Sequence, residues 1–62
     1  METQLLTPVE ASRYLRRSVS RLNNWRSEKK GPDYLKLEGR VFYRREQLDE
    51  FLKAAEIRLA NS

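Results

Sequence analysis

Apolar positions in this 62-residue chain fall into two kinds of spacing. Leu6, Ala11, Tyr14 and Leu15 gather on one side of a helix, Leu22 and Trp25 do the same further on, and Leu48, Phe51, Leu52, Ala55 and Leu59 draw a longer stripe at offsets 0, 3, 4, 7 and 11. Between them the period changes. Leu35 and Leu37 alternate with Lys36 and Glu38, and Val41 and Tyr43 alternate with Phe42, which is the two-residue repeat of strands. The pattern predicts helix, helix, hairpin, helix.

Polar residues and prolines set the boundaries. Thr7-Pro8-Val9-Glu10 combines a capping threonine, a proline suited to the first helical position and a glutamate three residues after the cap, so a helix starts at Pro8 and ends near Leu15 or Arg16. Ser18 caps a second helix from Val19 to about Lys29, and only Arg16 and Arg17 connect the two, which forces a tight angle between them. Gly31-Pro32 ends the second helix, with the glycine as its left-handed cap. The last helix runs from about Arg45 to Ala60 and packs under the hairpin and the first two helices.

Gly39 marks the hairpin turn. A loop of Glu38-Gly39-Arg40 sets Leu37 opposite Val41 and Leu35 opposite Tyr43, all on one side, whereas a two-residue loop setting Leu37 opposite Phe42 splits the apolar set; the first register is the one expected. It sends Phe42 away from the core. The expected core is Leu5, Leu6, Tyr14, Leu15, Leu22, Trp25, Leu35, Leu37, Val41, Tyr43, Leu48, Phe51 and Leu52, few but large residues for a chain that buries only about 60% of its unfolded surface. At this length the chain reads as one complete domain, mostly α within the α+β class, over residues 1–62.

Composition narrows the chemistry. Cys and His are absent, which removes the usual zinc sites, disulfides, thiol nucleophiles and imidazole bases, and the carboxylates sit at helical spacing among Lys and Arg as solvated pairs do. Neither an enzyme nor a cofactor is expected. No signal peptide or membrane span is legible in METQLL or beyond. Residues 1–45 carry eleven Lys and Arg against five acids, a net of +6, while residues 46–62 carry −2, giving +4 in all. The basic excess does not lie on a single amphipathic helix, so it implies a nucleic acid and not a membrane as the anionic partner.

The second helix carries the candidate contact. With Leu22 and Trp25 inward, its opposite side collects Ser20, Asn23, Asn24 and Ser27, flanked by Arg21 and Arg26 and led by Ser18. Asn pairs bidentately with adenine in the major groove and Arg reaches guanine or phosphate, so the face has the composition of a base-reading surface. Arg16 and Arg17 before the helix, Lys29 and Lys30 at its end, and Arg40 and Arg44 on the hairpin are placed to straddle a phosphate backbone. Trp25, at its spacing from Leu22, belongs to the core and not to a stacking platform.

The run from Leu5 to Leu52, LLTPVEASRYLRRSVSRLNNWRSEKKGPDYLKLEGRVFYRREQLDEFL, resembles the excisionase-type winged helix-turn-helix family, related to the DNA-binding domain of MerR-type regulators. Ser18-x-Ser20-x-Leu22, Trp25-Arg26, Lys30-Gly31-Pro32, Gly39-Arg40-Val41 and Tyr43-Arg44-Arg45-Glu46 match in order and spacing. The resemblance implies a recognition helix at 19–28, a wing at 34–43, a cytoplasmic protein of bacterial or phage origin, and service as a recombination directionality factor or as a small prophage or plasmid regulator. Arg16 and Arg17 stand where such proteins commonly have a glycine and an apolar residue, and Phe42 stands where a polar residue is common.

Three functions stay open on this reading. One is an architectural protein that binds and bends attachment-site DNA in several copies and contacts an integrase. Another is a transcriptional regulator of a mobile element, and the third is a protein-interaction module docking a partner through Phe42 and the last helix. With the last helix committed to the core, a monomer in free solution is expected, its partners being double-stranded DNA and neighbouring copies on it.

Overall fold

In the computed structural model, which describes residues 4–57, the first helix begins with a reciprocal lock. The Thr7 hydroxyl accepts the Glu10 N–H at 3.2 Å and the Glu10 carboxylate accepts the Thr7 N–H at 2.9 Å, satisfying two of the donors that a helix start leaves open. Helix α1 spans Pro8–Leu15. It closes by hydrogen bonds from Arg17 N–H to the Ser12 carbonyl (3.0 Å) and from Arg16 N–H to the Arg13 carbonyl (3.3 Å), which require Arg16 to take a left-handed conformation, φ 57. Ser18 then accepts the Arg21 N–H at 3.1 Å and starts helix α2, Val19–Ser27.

The end of α2 differs from expectation. The helix stops at Ser27 and not near Lys29, and Lys29, not Gly31, supplies its left-handed residue, φ 59. The closing bonds are Lys30 N–H to the Trp25 carbonyl at 2.7 Å and Lys29 N–H to the Arg26 carbonyl at 3.2 Å, the same pairing that ends α1. Gly31 also has positive φ, but its decisive property is the missing side chain: a Cβ there would lie 2.7 Å from Trp25 Cε3. The glycine is where the chain passes over the indole.

Three strands follow the order β1-β3-β2, all antiparallel: β1 is Leu5–Leu6, β2 is Leu35–Leu37 and β3 is Arg40–Arg44. The short β1 is absent from the sequence reading, because two apolar residues before a helix carry no periodicity; pairing of Leu5 with Arg44 and Leu6 with Tyr43 defines it. Helix α3, Arg45–Ala55, follows β3 without a loop, and the Gln47 side chain accepts the Arg44 N–H at 2.9 Å. Glu56 is already extended, so α3 is shorter than the span to Ala60; the stripe's Leu59 lies outside the described residues.

The hairpin register corrects the expected one. The loop is the two residues Glu38-Gly39, both at positive φ (49 and 80), and Leu35 faces Phe42, Lys36 faces Val41, and Leu37 faces Arg40. A two-residue turn with both residues left-handed matches strand twist, and glycine takes the second position readily, which outweighs the apolar match of a longer loop. Consequently Val41 and Tyr43 face the core while Leu35, Leu37 and Phe42 share the outer face of the sheet with Leu5. Phe42 points away from the core as expected, yet it is half-buried beside Leu35 and not solitary.

The core consists of Leu6, Ala11, Leu15, Leu22, Tyr43 and Leu48, with Trp25, Val41 and Phe51 packed against it. Trp25 and Phe51 join α2 to α3 with ring centroids 5.2 Å apart. Leu5, Tyr14, Leu37 and Leu52, expected inside, are at least 38% exposed, and Leu35 is half-buried outside this cluster. Tyr14 instead staples α1 to α3: its hydroxyl donates to Asp49, and the Arg45 guanidinium lies 5.8 Å over its ring. Hydrogen bonding to Tyr14, with the charge of Asp49 behind it, holds Arg45 above its ordinary pKa. The result is three helices and a small three-stranded antiparallel sheet, mostly helical: a winged helix-turn-helix.

Candidate nucleic-acid interface

Helix α2 owes its orientation to Leu22, fully buried, and to Trp25, wedged between Gly31 and Phe51. With those two inward, Ser20, Arg21, Asn23, Asn24 and Ser27 are all exposed. Ser20, Arg21, Asn24 and Ser27 make no side-chain hydrogen bond or ion pair among the described residues, so their polar groups are open to solvent. Ser18 is exposed too, but its oxygen is engaged as the α2 cap.

Arg26 departs from this arrangement. It follows Leu22 by four residues, on the same side of the helix, and it is half-buried. Its Nη1 donates to the Tyr43 hydroxyl at 2.8 Å, its Nη2 donates to Asn23 Oδ1, and its guanidinium lies 5.8 Å from the Tyr34 ring centroid. Tyr34 and Tyr43 are themselves neighbours, with centroids 6.2 Å apart. The side chain read from sequence as a flanking contact is thus a tie between α2 and the hairpin. Neither tyrosine is singled out by the sequence reading as a partner for it. The signals were the i+4 offset from Leu22 and the need of a buried phenol for a hydrogen-bond partner.

The cations expected to frame α2 lie at both its ends and on the hairpin. Arg16 and Arg17 form the turn before it, both exposed, with Arg17 Nη1 donating to the Arg16 carbonyl at 3.2 Å. Lys29 and Lys30 follow it; Lys30 approaches Glu28 at 3.9 Å, an exposed pair that contributes about 0–1 kcal/mol. Arg40 is the first residue after the hairpin turn and Arg44 ends β3, both exposed. Between the end of α2 and the start of the hairpin lies a cleft of about 380 Å³ lined by Arg26, Lys29, Lys30, Gly31, Pro32, Asp33 and Tyr34. Of its cations, Arg26 is tied to Tyr43 and Asn23 and Lys30 lies near Glu28. Among the described residues there is no His, Cys, Asp or Glu group able to hold a metal ion, and no helix long and apolar enough to cross a membrane.

The profile of a family described as the helix-turn-helix domain matches residues 5–56, from the first residue of β1 to just past the end of α3. No curated protein and no solved structure matches the chain.

Proposed function

The chain belongs to the helix-turn-helix domain family, a class that binds double-stranded DNA, and on that premise we propose that it is an excisionase-like recombination directionality factor, which reads attachment-site DNA with α2, grips the backbone with its wing, and bends the duplex. The observation that carries the reading is the exposed face of Ser20, Asn23, Asn24 and Ser27 on a helix bracketed at both ends by cations. Arg21, exposed beside that face, adds a cation to it. Arg16 and Arg17 on one side, and Lys29, Lys30, Arg40 and Arg44 on the other, contact phosphates across the groove.

Several copies act side by side. A single recognition helix with one wing buries only about 600–1,000 Å² against DNA, too little for selectivity in a genome, so neighbouring copies must supply the rest by raising effective concentration. The outer face of the sheet, where Leu5 and Leu37 stand 40% and 47% exposed beside Phe42, supports this as the surface through which neighbours or an integrase make contact. Each copy that deforms the duplex adds to a bend whose cost the added contacts offset.

The test is an electrophoretic shift assay at two salt concentrations on DNA from the protein's own locus. Each neutralised phosphate contributes about −0.9 to the slope of log K against log salt, and several are expected. A slope near zero would turn the reading into a protein-interaction module. A tight dimer in sedimentation together with one palindromic footprint would favour a transcriptional regulator over a multi-copy architectural protein.

A further inference from the structure

Asn23 and Arg26 are one turn apart on α2, close enough for their side chains to meet, and in this structure they do. A guanidinium has five N–H donors and no acceptor, so the Asn23 group facing it must be the carbonyl oxygen, whichever way the amide is drawn. Arg26 is itself held from two other directions: the hydroxyl of Tyr43, a residue 1% exposed, accepts from it at 2.8 Å, and the Tyr34 ring supports its face. The fork therefore has a fixed place in the core-facing flank of α2, and the Asn23 oxygen is aimed back at it. The NH₂ of Asn23, an exposed residue, has no hydrogen-bond partner among the described residues.

We infer that Arg26 is a positioning residue, not a base contact, and that it sets Asn23 as a hydrogen-bond donor toward the major groove. An asparagine that pairs with adenine uses its oxygen and its nitrogen together, accepting from N6 and donating to N7. With the oxygen turned to Arg26, the nitrogen leads, and the edge that suits it best is guanine, with the two acceptors O6 and N7; adenine N7 and thymine O4 offer one acceptor each, and cytosine offers none. The base opposite Asn23 is then guanine by about tenfold over cytosine, toward the lower end of what a good bidentate pair supplies, and adenine loses the advantage that an asparagine using both its groups would give it. The same tie joins α2 to β3 through Tyr43, so the reading helix and the wing keep one spacing.

The inference rests on α2 being the reading helix, and the experiment has one arm that does not need DNA. In thermal unfolding of the free protein, Asn23→Ala, Arg26→Met and the double variant form a cycle. The double variant is expected to melt about 2–6 °C above the additive value, because each single change already removes the shared bond. Additive melting points would overturn the tie whatever the protein does on DNA. In the second arm, base preferences are read from a randomised duplex library. Arg26→Lys keeps the charge but cannot span Tyr43 and Asn23 with a fork. It is expected to bind random DNA within about twofold of the natural protein and, by freeing the Asn23 oxygen for adenine N6, to shift one position from guanine toward adenine. Asn23→Ala should lose preference at that same position, and Tyr43→Phe, which removes one anchor and leaves the ring, should shift it part of the way. A uniform loss on all sequences for Arg26→Lys, or an unchanged preference, would overturn the inference. Coupled melting points in a protein without any salt-dependent DNA affinity would leave the tie standing and remove its role in base reading together with the function proposed above.

Discussion

Gly31 and Gly39 share the same backbone angle, φ +80, yet replacing each by alanine should have very different consequences. At Gly39 a Cβ meets nothing within 4 Å, so Gly39→Ala carries only the left-handed penalty of an L-residue, about 1–2 kcal/mol, reduced by the 0.4–1 kcal/mol or so that alanine gains from a less flexible unfolded chain. The net is about 1 kcal/mol. At Gly31 the same Cβ would lie 2.7 Å from Trp25 Cε3 and 2.9 Å from Trp25 Cβ, and the indole cannot retreat because Phe51 packs against it. Overpacking of that kind adds about 1–3 kcal/mol, bringing Gly31→Ala to about 2–4 kcal/mol. A domain of this length has about 3–9 kcal/mol in total, so this single methyl group removes a large part of it. Urea unfolding at 25 °C, followed by far-UV circular dichroism and by the fluorescence of the single tryptophan, measures both variants. In melting temperature the expectation is a loss of about 4–8 °C for Gly39→Ala and about 10–30 °C for Gly31→Ala. Trp25→Leu removes the ring contacts but keeps the Cβ that would lie 2.9 Å away, so adding Gly31→Ala to it should cost clearly less than in the natural background, though still more than Gly39→Ala does alone. Equal losses for the two alanines, or a full additional loss in the Trp25→Leu background, would refute the close approach as the reason for this glycine.

Further outcomes follow from the same geometry. Arg16→Gly should raise stability by about 1 kcal/mol, since Arg16 holds φ 57, and should weaken DNA binding through the lost charge; a lower melting temperature would contradict the strain argument. Asn24→Ala should cost about 1–3 kcal/mol on the cognate site and little on random DNA, whereas Arg40→Ala should weaken both, and equal losses for Asn24→Ala on the two DNAs would show that the reading face is misassigned. Phe42→Ser should cost about 1–1.5 kcal/mol, half the worth of a fully buried ring, and reduce cooperative binding to adjacent sites. Complete unfolding of that variant would place the ring in the core after all.

Wherever a signal is carried by neighbours in the chain, the sequence was sufficient. Thr7 with Glu10, Pro8, and Ser18 define the two helix starts because capping is a contact over three residues, and the buried Ala11, Leu15, Leu22 and Leu48 follow from helical spacing, though Tyr14 and Leu52 on the same stripes do not. The shortness of the turn was legible for the same reason, since nothing but Arg16 and Arg17 lies between two capped helices, but that Arg16 takes the left-handed conformation is shown only by the structure. The exposed face of Ser20, Asn23, Asn24 and Ser27 also followed once Leu22 and Trp25 were placed inside. What only the tertiary structure decided are choices between local solutions of similar energy. The hairpin could close over two residues or three, and the tight turn at Glu38-Gly39 prevailed, which moved Leu35 and Leu37 out of the core and made an apolar outer face. Strand β1 exists only because β3 offers it an edge, and Lys29 closes α2 while Gly31, also at positive φ, lies against Trp25 where a side chain has no room. Arg26 changed most in meaning. On a helical wheel its i+4 offset from Leu22 places it toward the inner side, but its partners Tyr34 and Tyr43 come from the far side of a turn and a strand, and periodicity cannot name partners across that separation.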